Sequence, residues 1–408
     1  MSSVLFLYNA PEDSLPVLMS KAVAKQNGDE VSKIIHKIIS IAHENHYANG
    51  NLWHNYLTHY ILSNDNVFSL LSERKEAPDG SLKFLAFHDF EIFMKLFRLL
   101  DSVAGLEFIK NFAGDNKETQ ITKLSQKLAA ANDAEEFFNY VCGFYKNFGV
   151  GIFAFNKAFR LGNNFLIPVP DENIGDVNFD DIIGYEIQKQ ELISNTKAFL
   201  AGKSANNVLL YGDGGTGKST SVKALLNEYF SEGLRVIEIY KHQFKDILRL
   251  TASLRKRNYK FIIFIDDLSF EENEIEYKYL KAVIEGGIET KPENVLIYAT
   301  SNRRHIIRET WNDRSDMEHN GDIHRSDTVE EKLSLASRFG IAINFSAPTR
   351  EEYHEIVIKL AEKAGLKFDL NELLKNADAW EIRHGGKSGR AARQFIDYKL
   401  GTENKKCI

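Results

Sequence analysis

Residues 207–229 constrain the fold of this chain more than any other segment. An apolar run over residues 208–211 predicts a buried strand, and the spacing of Val222, Leu225 and Leu226 predicts a helix. Between them lies a glycine-rich loop with the spacing G-x-x-x-x-G-K-[ST]. The loop comprises Gly212, Asp213, Gly214, Gly215, Thr216, Gly217, Lys218 and Ser219, followed by Thr220. A strand, this loop and a helix in succession form a cradle for the phosphates of a nucleotide.

Each residue type in this loop has a chemical reason to be there. Glycines let the backbone curl until successive N–H groups face one anion. The helix that follows adds its N-terminal end, which carries about half a positive charge. Lys218 is expected to contact the β and γ phosphates, and the Ser219 hydroxyl is expected to bind Mg²⁺. The segment therefore predicts a site for a nucleotide with Mg²⁺.

Composition sets outer limits on the class of protein. A chain of 408 residues with 43% hydrophobic content can bury a large core and should contain two or three domains. Two cysteines, Cys142 and Cys407, exclude a disulfide framework or a cysteine-based metal site. We find neither a secretory signal pattern nor an apolar run near the roughly 18 residues that span a bilayer. These features predict a cytoplasmic protein with no membrane association, and the net charge of −6 gives no global attraction for nucleic acid.

The pattern along the chain divides it into four parts. Helical spacing dominates residues 1–160, which we predict to be a helical N-terminal domain for binding a client or partner. Residues 161–177 are polar and turn-prone, which predicts a linker. Strands alternate with helices over residues 178–347, which predicts a nucleotide-binding core with a doubly wound, largely parallel sheet. After Pro348 the pattern is helical again, so residues 348–408 are predicted to form a small lid.

Polar residues follow two of the predicted strands, where ligands bind in sheets of this type. Asp266 and Asp267 follow the apolar strand at 261–265, and Asn302 follows the strand at 295–299. We expect Asp266 to hold the water shell of Mg²⁺, and Asp267 to act as base for the attacking water or to orient it. Asn302 could polarise that water or contact the γ-phosphate.

These motifs together resemble those of the AAA+ ATPase superfamily, in the same order, over residues 178–395. The matching segments are residues 180–185, the glycine-rich loop, FIIFIDD, ATSN, Ser337-Arg338-Phe339 and Ser388-Gly389-Arg390. The spellings NNVLLYGDGGTGKS, DDLSFEE and LIYATSNRRH more specifically resemble a bacterial AAA+ family known only as a domain of unknown function. The resemblance implies an α/β fold of the P-loop NTPase (AAA+) type, with a helical lid and a preceding helical domain.

The resemblance also implies roles for individual residues. Ile182, Ile183, Gly184 and Tyr185 correspond to the segment on the adenine side of the nucleotide. Asn302 corresponds to the first sensor, and Arg390 to the second, with Arg393 as an alternative one helical turn away. Arg338 corresponds to an arginine finger that enters the site of a neighbouring subunit, which implies a homo-oligomer. The implied cofactors are ATP or ADP and Mg²⁺.

Two departures from the superfamily pattern refine these expectations. The usual acid pair is Asp-Glu, whereas this chain has Asp266-Asp267. A carboxylate that lies about 1 Å too far back can cost about 100-fold in rate, so slow ATP hydrolysis is expected. Peptide-threading relatives carry an aromatic–apolar–Gly segment after the second strand, but residues 240–245 contain no glycine. This difference argues against a threading unfoldase.

We therefore expect an ATP-hydrolysing AAA+ motor or switch that acts as an oligomer on an unknown client. Basic clusters at 255–257 and 303–305 leave open an ATP-switched loader of nucleic-acid complexes, although solvated or interface positions suit them better. A monomeric P-loop phosphotransferase is a third, weaker alternative. The polar segment at 309–327 is expected to be an inserted mobile loop.

Overall fold

The computed structural model describes residues 5–45, 47–74, 78–101, 103–114, 119–163, 165–270, 276–285, 292–302 and 337–403. The chain divides into two compact units, Met1–Phe155 and Asn156–Ile408. Within the described residues, no helix is both long and apolar enough to cross a membrane.

The first unit is helical, as the sequence predicts. Its helices are α1 (Leu15–Ala24), α2 (Gly28–Glu44), α3 (Leu52–Leu62), α4 (Val67–Glu73), α5 (Gly80–Phe97), α6 (Glu107–Lys110), α7 (Gln120–Ala130), α8 (Ala134–Phe148) and α9 (Ile152–Phe155). Aromatic side chains fill the core, where Phe90 packs on Phe137 with ring centroids 5.0 Å apart. The many Phe and Tyr residues of this region therefore belong to a hydrophobic core.

The second unit alternates strands and helices. Its elements are β1 (Ala158–Leu161), β2 (Leu166–Val169), α10 (Asp171–Ile174), α11 (Glu186–Leu200), β3 (Val208–Gly212), α12 (Lys218–Tyr229), β4 (Leu234–Glu238), α13 (Ile247–Leu254), β5 (Lys260–Ile265), α14 (Glu276–Glu285), β6 (Val295–Ser301), β7 (Ile341–Phe345), α15 (Arg350–Lys363), α16 (Leu370–Arg383) and α17 (Gly389–Glu403). Short 3₁₀ turns lie at Phe179–Asp181, Phe230–Glu232 and Lys241–Asp246.

The seven strands form one sheet in the order β2-β1-β4-β5-β6-β3-β7. Only the β1–β2 pair is antiparallel, and the remaining pairs are parallel. Successive residues of β5, such as Ile262 and Ile263, are both fully buried, so both faces of the sheet are covered. The doubly wound, largely parallel sheet that the sequence predicts is confirmed. This arrangement brings the carboxyl ends of β3, β5 and β6 to one edge.

The structure differs from the sequence prediction where we expected a linker at 161–177. Strands β1 and β2 form a hairpin, with Ala158 opposite Val169, and β1 then pairs with β4. Each strand has only four residues, too few for an alternating pattern to be recognised among turn-forming neighbours. Pro168 lies in β2 at the edge of the sheet, where a missing backbone N–H is tolerated.

The C-terminal lid consists of α15, α16 and α17 around its own apolar core, which includes Tyr353, Val357 and Phe395. Thr349 and Glu352 form a capping box at the start of α15. At the start of α17 the backbone N–H of Ala391 donates to Ser388 Oγ at 3.1 Å. This cap fixes where the first turn of α17 begins, and Arg390 lies in that turn.

Candidate nucleotide-binding site

The glycine-rich loop lies between β3 and α12, at the edge of the sheet. Gly215 has a φ of +76° and Gly217 a φ of +99°, values that residues with a Cβ rarely adopt. A Cβ at Gly215 would lie 2.9 Å from Cβ of Arg390, so the lid approaches the loop closely at this point. The loop therefore needs glycine both for its curl and for contact with the lid.

Lys218 is the first residue of α12, and its side chain is buried. Its Nζ donates to the carbonyl oxygens of Gly212, at 3.0 Å, and Asp213, at 2.5 Å. Burial lowers the pKa of Lys218, while the nearby carboxylates of Asp213, Asp267 and Asp266 partly offset this effect. An anion bound in the loop would give this ammonium group a stronger partner than the carbonyls it now contacts.

The predicted metal ligands and the second acid meet at the sheet edge. Ser219 Oγ donates to Asp266 Oδ1 at 2.6 Å. Asn302 Nδ2 donates to Asp267 Oδ1 at 2.8 Å. Direct hydrogen bonds thus join α12 to the turn after β5, and join this turn to the residue that follows β6.

Thr300, a buried residue of β6 for which the sequence predicted no role, links the two acids. Its Oγ1 donates to Asp266 Oδ1 at 2.5 Å and accepts from the backbone N–H of Asp267 at 2.9 Å. Asp267 has a φ of +51°, in the left-handed region. Few residue types tolerate this region, and aspartate is among those enriched there.

The site also has an apolar part, termed the apolar end, which includes residues of the lid. Ile182, Ile183 and Tyr185 lie there with Ile356 and Leu360 of α15. Tyr185 adopts a left-handed φ of +61°, and its hydroxyl donates to the Ser346 carbonyl at 2.7 Å. Burial raises the pKa of Tyr185 to about 12, with added contributions from Glu352 and Asp213, so this hydroxyl stays protonated at neutral pH.

An ion pair joins the core to the lid beside this apolar end. Lys363 Nζ of α15 donates to Asp181 Oδ1. Partial burial alone would raise the pKa of Asp181, but the Lys363 hydrogen bond, the Asn178 N–H and the nearby Lys363 and Arg393 charges lower it overall. Asp181 is therefore ionised at neutral pH and can hold the lid.

The lid also touches the glycine-rich loop. The backbone N–H of Arg390 donates to the Gly215 carbonyl at 3.2 Å. On the other side of the loop, the backbone N–H of Ala347 donates to Asp213 Oδ2 at 2.7 Å. The segment just before the lid and the start of α17 are therefore both hydrogen-bonded to the loop.

One cavity of about 850 Å³ gathers most of the predicted site. The predicted residues that line it are Ile182, Ile183, Tyr185, Gly214, Gly215, Thr216, Gly217, Lys218, Ser219, Thr220, Asp266, Asp267, Asn302 and Arg390. The alternative sensor Arg393 lines it as well. Gly184, Gly212, Asp213 and Arg338 are described by the structure but do not line this cavity.

The cavity also contains residues for which we predicted no role. They are Asp176, Val177, Asp181, Thr300, Ile356, Leu360, Lys363 and Gly389. Asp181, Thr300 and Gly389 lie within the segments that resemble the AAA+ superfamily. Their position in these segments was the one sequence signal that could have pointed to them. Ile356, Leu360 and Lys363 lie on α15, more than 130 residues after the loop, and no local pattern connects them to it.

Several predictions concern residues that the structure does not describe. The second basic cluster at 303–305, the polar segment at 309–327 and Cys407 lie outside the described residues. The first basic cluster, 255–257, follows α13 and does not line the cavity.

The residues of the cavity suit a nucleotide with Mg²⁺. The buried Lys218 ammonium and the curled glycine loop match a phosphate chain, and the adjacent apolar end matches a base. Among the described residues, no group of three or more His, Cys, Asp or Glu could hold a metal without help. Protein sites often bind Mg²⁺ through one or two carboxylates plus substrate phosphates, and Asp266 with the Ser219 hydroxyl could supply the protein's part of such a site.

The largely parallel sheet with a glycine-rich loop between β3 and α12 is the strand–loop–helix arrangement typical of P-loop proteins. Residues 152–403 match the family described as "Protein of unknown function (DUF815)", and the chain belongs to that family. No curated protein matches the chain.

Among solved structures, the chain is similar to the Thermotoga maritima RuvB Holliday junction branch migration motor. The identity is 19% and the TM-score 0.37, over 55% of this chain and 64% of that chain. Two variant structures of the same protein give 19% and 18% identity and TM-scores of 0.36 and 0.37. They cover 54% and 55% of this chain and 63% and 65% of theirs. This chain thus spans less than two thirds of each of these three RuvB chains.

Proposed function

We propose that this protein binds ATP with Mg²⁺ in the cavity at the sheet edge and hydrolyses it to ADP and phosphate. A single observation carries this proposal: the glycine-rich loop, both acids, Asn302 and the lid residue Arg390 all line one cavity. Each of these groups comes from a different part of the chain, and a phosphate-binding turn that arose by chance would not gather them.

The loop and Lys218 would hold the phosphates. Backbone N–H groups of the loop and the N-terminal end of α12 supply the partial positive charge. Lys218 would exchange its bonds to the loop carbonyls for bonds to the β and γ phosphates. Mg²⁺, when bound, neutralises phosphate charge, and Ser219 and Asp266 would hold it.

Asp267 and Asn302 would act on the attacking water. The Asp267 carboxylate faces the cavity and could accept a proton from water or orient it. Asn302 Nδ2 now donates to this carboxylate, which restrains its position. We propose slow hydrolysis, because the Asp267 side chain is one methylene shorter than the glutamate usual in the superfamily.

Two arginines of α17 compete for the role of second sensor. Arg390 follows Gly389 and its backbone bonds to Gly215 at the tip of the loop. Arg393 lies near Asp181, the acid that pairs with Lys363, and its charge helps to lower the pKa of Asp181. We therefore assign phosphate sensing to Arg390 and place Arg393 near the base and sugar.

We further propose that Arg338 acts on the site of a neighbouring subunit in a homo-oligomer. Arg338 is half-buried, precedes β7 and does not line the cavity of its own chain. Residues 178–347 would then form the ATPase core and residues 348–408 the lid, while residues 1–160 would engage an unknown protein client. The oligomer would act as a motor or switch on that client.

Turnover and oligomeric state, measured together, test this proposal. Purified protein should hydrolyse ATP only with Mg²⁺, and light scattering after size exclusion should show assembly in the presence of ATP. Protein that binds and hydrolyses no nucleotide would contradict the proposed ATPase. A fully active monomer would contradict only the shared site.

A further inference from the structure

We propose that Thr300 is a positioning residue that sets the geometry of the Asp266-Asp267 pair. Its hydroxyl contacts both acids, and no other described side chain does. The inference rests on the proposed ATPase function and adds to it a residue that holds the acids in place for metal binding and water activation.

The hydroxyl of Thr300 makes two hydrogen bonds with opposite roles. It has one hydrogen, which it donates to Asp266 Oδ1 at 2.5 Å, and it accepts from the Asp267 N–H at 2.9 Å. A methyl group in place of this hydroxyl would remove both bonds at once. It would also leave a backbone N–H in the turn without its partner, which costs free energy when the group is shielded from water.

The two hydrogen bonds to the Asp266 carboxylate fix its orientation. Ser219 Oγ and Thr300 Oγ1 both donate to Oδ1, at 2.6 Å and 2.5 Å. Among the described residues, no donor contacts Oδ2. Thr300 therefore holds Oδ1 from the sheet side while Oδ2 remains able to accept from the water shell of Mg²⁺.

The same residue supports the left-handed backbone of Asp267. Besides the bond from the Asp267 N–H, the Thr300 carbonyl accepts from the Leu268 N–H at 2.7 Å. A positive φ such as the +51° of Asp267 persists only where surrounding contacts enforce it. Thr300 thus accepts hydrogen bonds from two consecutive backbone N–H groups of the turn.

Thr300 is itself held rigidly. It lies within β6, is 2% exposed and pairs with Leu210 of β3, the strand that leads into the glycine-rich loop. A β-branched side chain in a strand has restricted χ1 freedom. The acid pair is therefore held by the same sheet that carries the phosphate loop. Catalysis on a bound phosphate requires that the acids and the loop keep fixed relative positions.

The test compares Thr300→Val, which keeps the shape and removes the hydroxyl, with Thr300→Ser, which keeps the hydroxyl. We expect Thr300→Val to lower kcat by about 10- to 100-fold, since misplacement by about 1 Å costs on this scale. It should also raise the Mg²⁺ concentration needed for half-maximal turnover. Affinity for ATP without Mg²⁺ should stay unchanged, because the phosphate loop is intact. Thr300→Ser should restore most of kcat and the original Mg²⁺ dependence.

A crystal structure of nucleotide-free Thr300→Val supplies a readout that does not depend on activity. We expect Asp267 to leave the left-handed region or the Asp266 carboxylate to rotate. If Thr300→Val fails to fold, Thr300→Ala, which lacks the hydroxyl, is compared with Thr300→Ser, which keeps it. This pair tests the same point with smaller side chains.

Three outcomes would overturn the inference. Thr300→Val could keep both kcat and Mg²⁺ dependence, Thr300→Ser could be as impaired as Thr300→Val, or the acid turn could be unchanged in the crystal structure of Thr300→Val. Failure of the proposed function looks different, because the unsubstituted protein would then neither bind nor hydrolyse ATP. The crystal structure would still decide whether Thr300 sets the turn.

Discussion

At the scale of single residues, the site depends on a short acid in an unusual backbone conformation. Asp267 reaches Asn302 at 2.8 Å while its φ is +51°. The positions of Asp266, Asp267 and Asn302 could be predicted because each follows an apolar strand of a parallel sheet. The role of Thr300 could not, since one inward-facing threonine in a buried strand gives no pattern by which to recognise its partners.

Asp267→Glu tests whether the short acid limits turnover. We expect kcat to rise by about 10- to 100-fold, because the longer side chain moves the carboxylate by about 1 Å. We also expect stability to fall by about 1 kcal/mol, since glutamate tolerates a left-handed φ less well than aspartate does. Steady-state turnover and chemical denaturation measure the two effects, and a slower Asp267→Glu enzyme would contradict the explanation for slow hydrolysis.

At the scale of elements, the lid completes the cavity. Helix α15 contributes Ile356 and Leu360 to the apolar end, and α17 contributes Arg390 beside the loop. The helical character of the lid was predicted from the pattern after Pro348, which is a local signal. Their placement over the cavity depends on contacts between distant segments, such as the Lys363–Asp181 ion pair, and local signals do not contain that information.

Paired substitutions in α17 separate the two sensor candidates. We expect Arg390→Ala to lower kcat by about 100-fold or more, as loss of a group that stabilises transition-state charge does elsewhere. Arg393→Ala should mainly raise KM, because the charge of Arg393 acts on Asp181 beside the apolar end of the cavity. Steady-state kinetics of both variants decide the assignment, and the reverse pattern would make Arg393 the second sensor.

The Asp181–Lys363 pair makes a prediction about pH. Because its pKa is lowered in the folded protein, Asp181 stabilises the fold above the ordinary carboxyl pKa of about 3.9 and loses this effect as pH falls through its lowered value. We expect Asp181→Asn to cost up to about 1 kcal/mol of unfolding free energy at pH 7, as partly exposed ion pairs do. The difference from the unsubstituted protein should vanish in acid.

Lys363→Gln provides the control for this pair. Since both substitutions remove the same interaction, the double variant should lose less unfolding free energy than the sum of the single variants. Fully additive losses, or an Asp181→Asn effect that persists in acid, would show that the ion pair does not connect the lid to the core.

At the scale of the whole molecule, the sequence predicts the parallel core of the sheet better than the segments at its edge. The parallel strands of the core were predicted almost to the residue, because long apolar runs between helices are distinctive. The β1–β2 hairpin was missed because its strands have four residues each. The family match begins at residue 152, so most of the helical N-terminal unit lies outside it.

Mixing two inactive variants tests the shared site. Arg338→Ala should lower turnover by about 1000-fold, the lower range for an arginine finger. Lys218→Ala should lose ATP binding but keep its own Arg338. When the two variants are mixed and assembled with ATP, some sites combine the intact loop of an Arg338→Ala subunit with the intact Arg338 of a Lys218→Ala subunit. These sites should restore part of the activity. Full hydrolysis by Arg338→Ala alone, or no recovery on mixing, would contradict the shared site.

The central claim is that the glycine-rich loop and Lys218 bind the phosphates of ATP together with Mg²⁺. Isothermal titration of ATP with and without Mg²⁺ tests it most directly, on the unsubstituted protein, on Lys218→Ala and on Lys223→Ala. Lys223 lies on the same helix, is exposed and does not line the cavity, so it controls for the loss of charge. We predict Mg²⁺-dependent binding that Lys218→Ala weakens by at least about tenfold and Lys223→Ala leaves unchanged, since a charged hydrogen bond contributes about 1.5–3 kcal/mol. Absence of Mg²⁺-dependent binding, or equal affinity in Lys218→Ala, would contradict the claim.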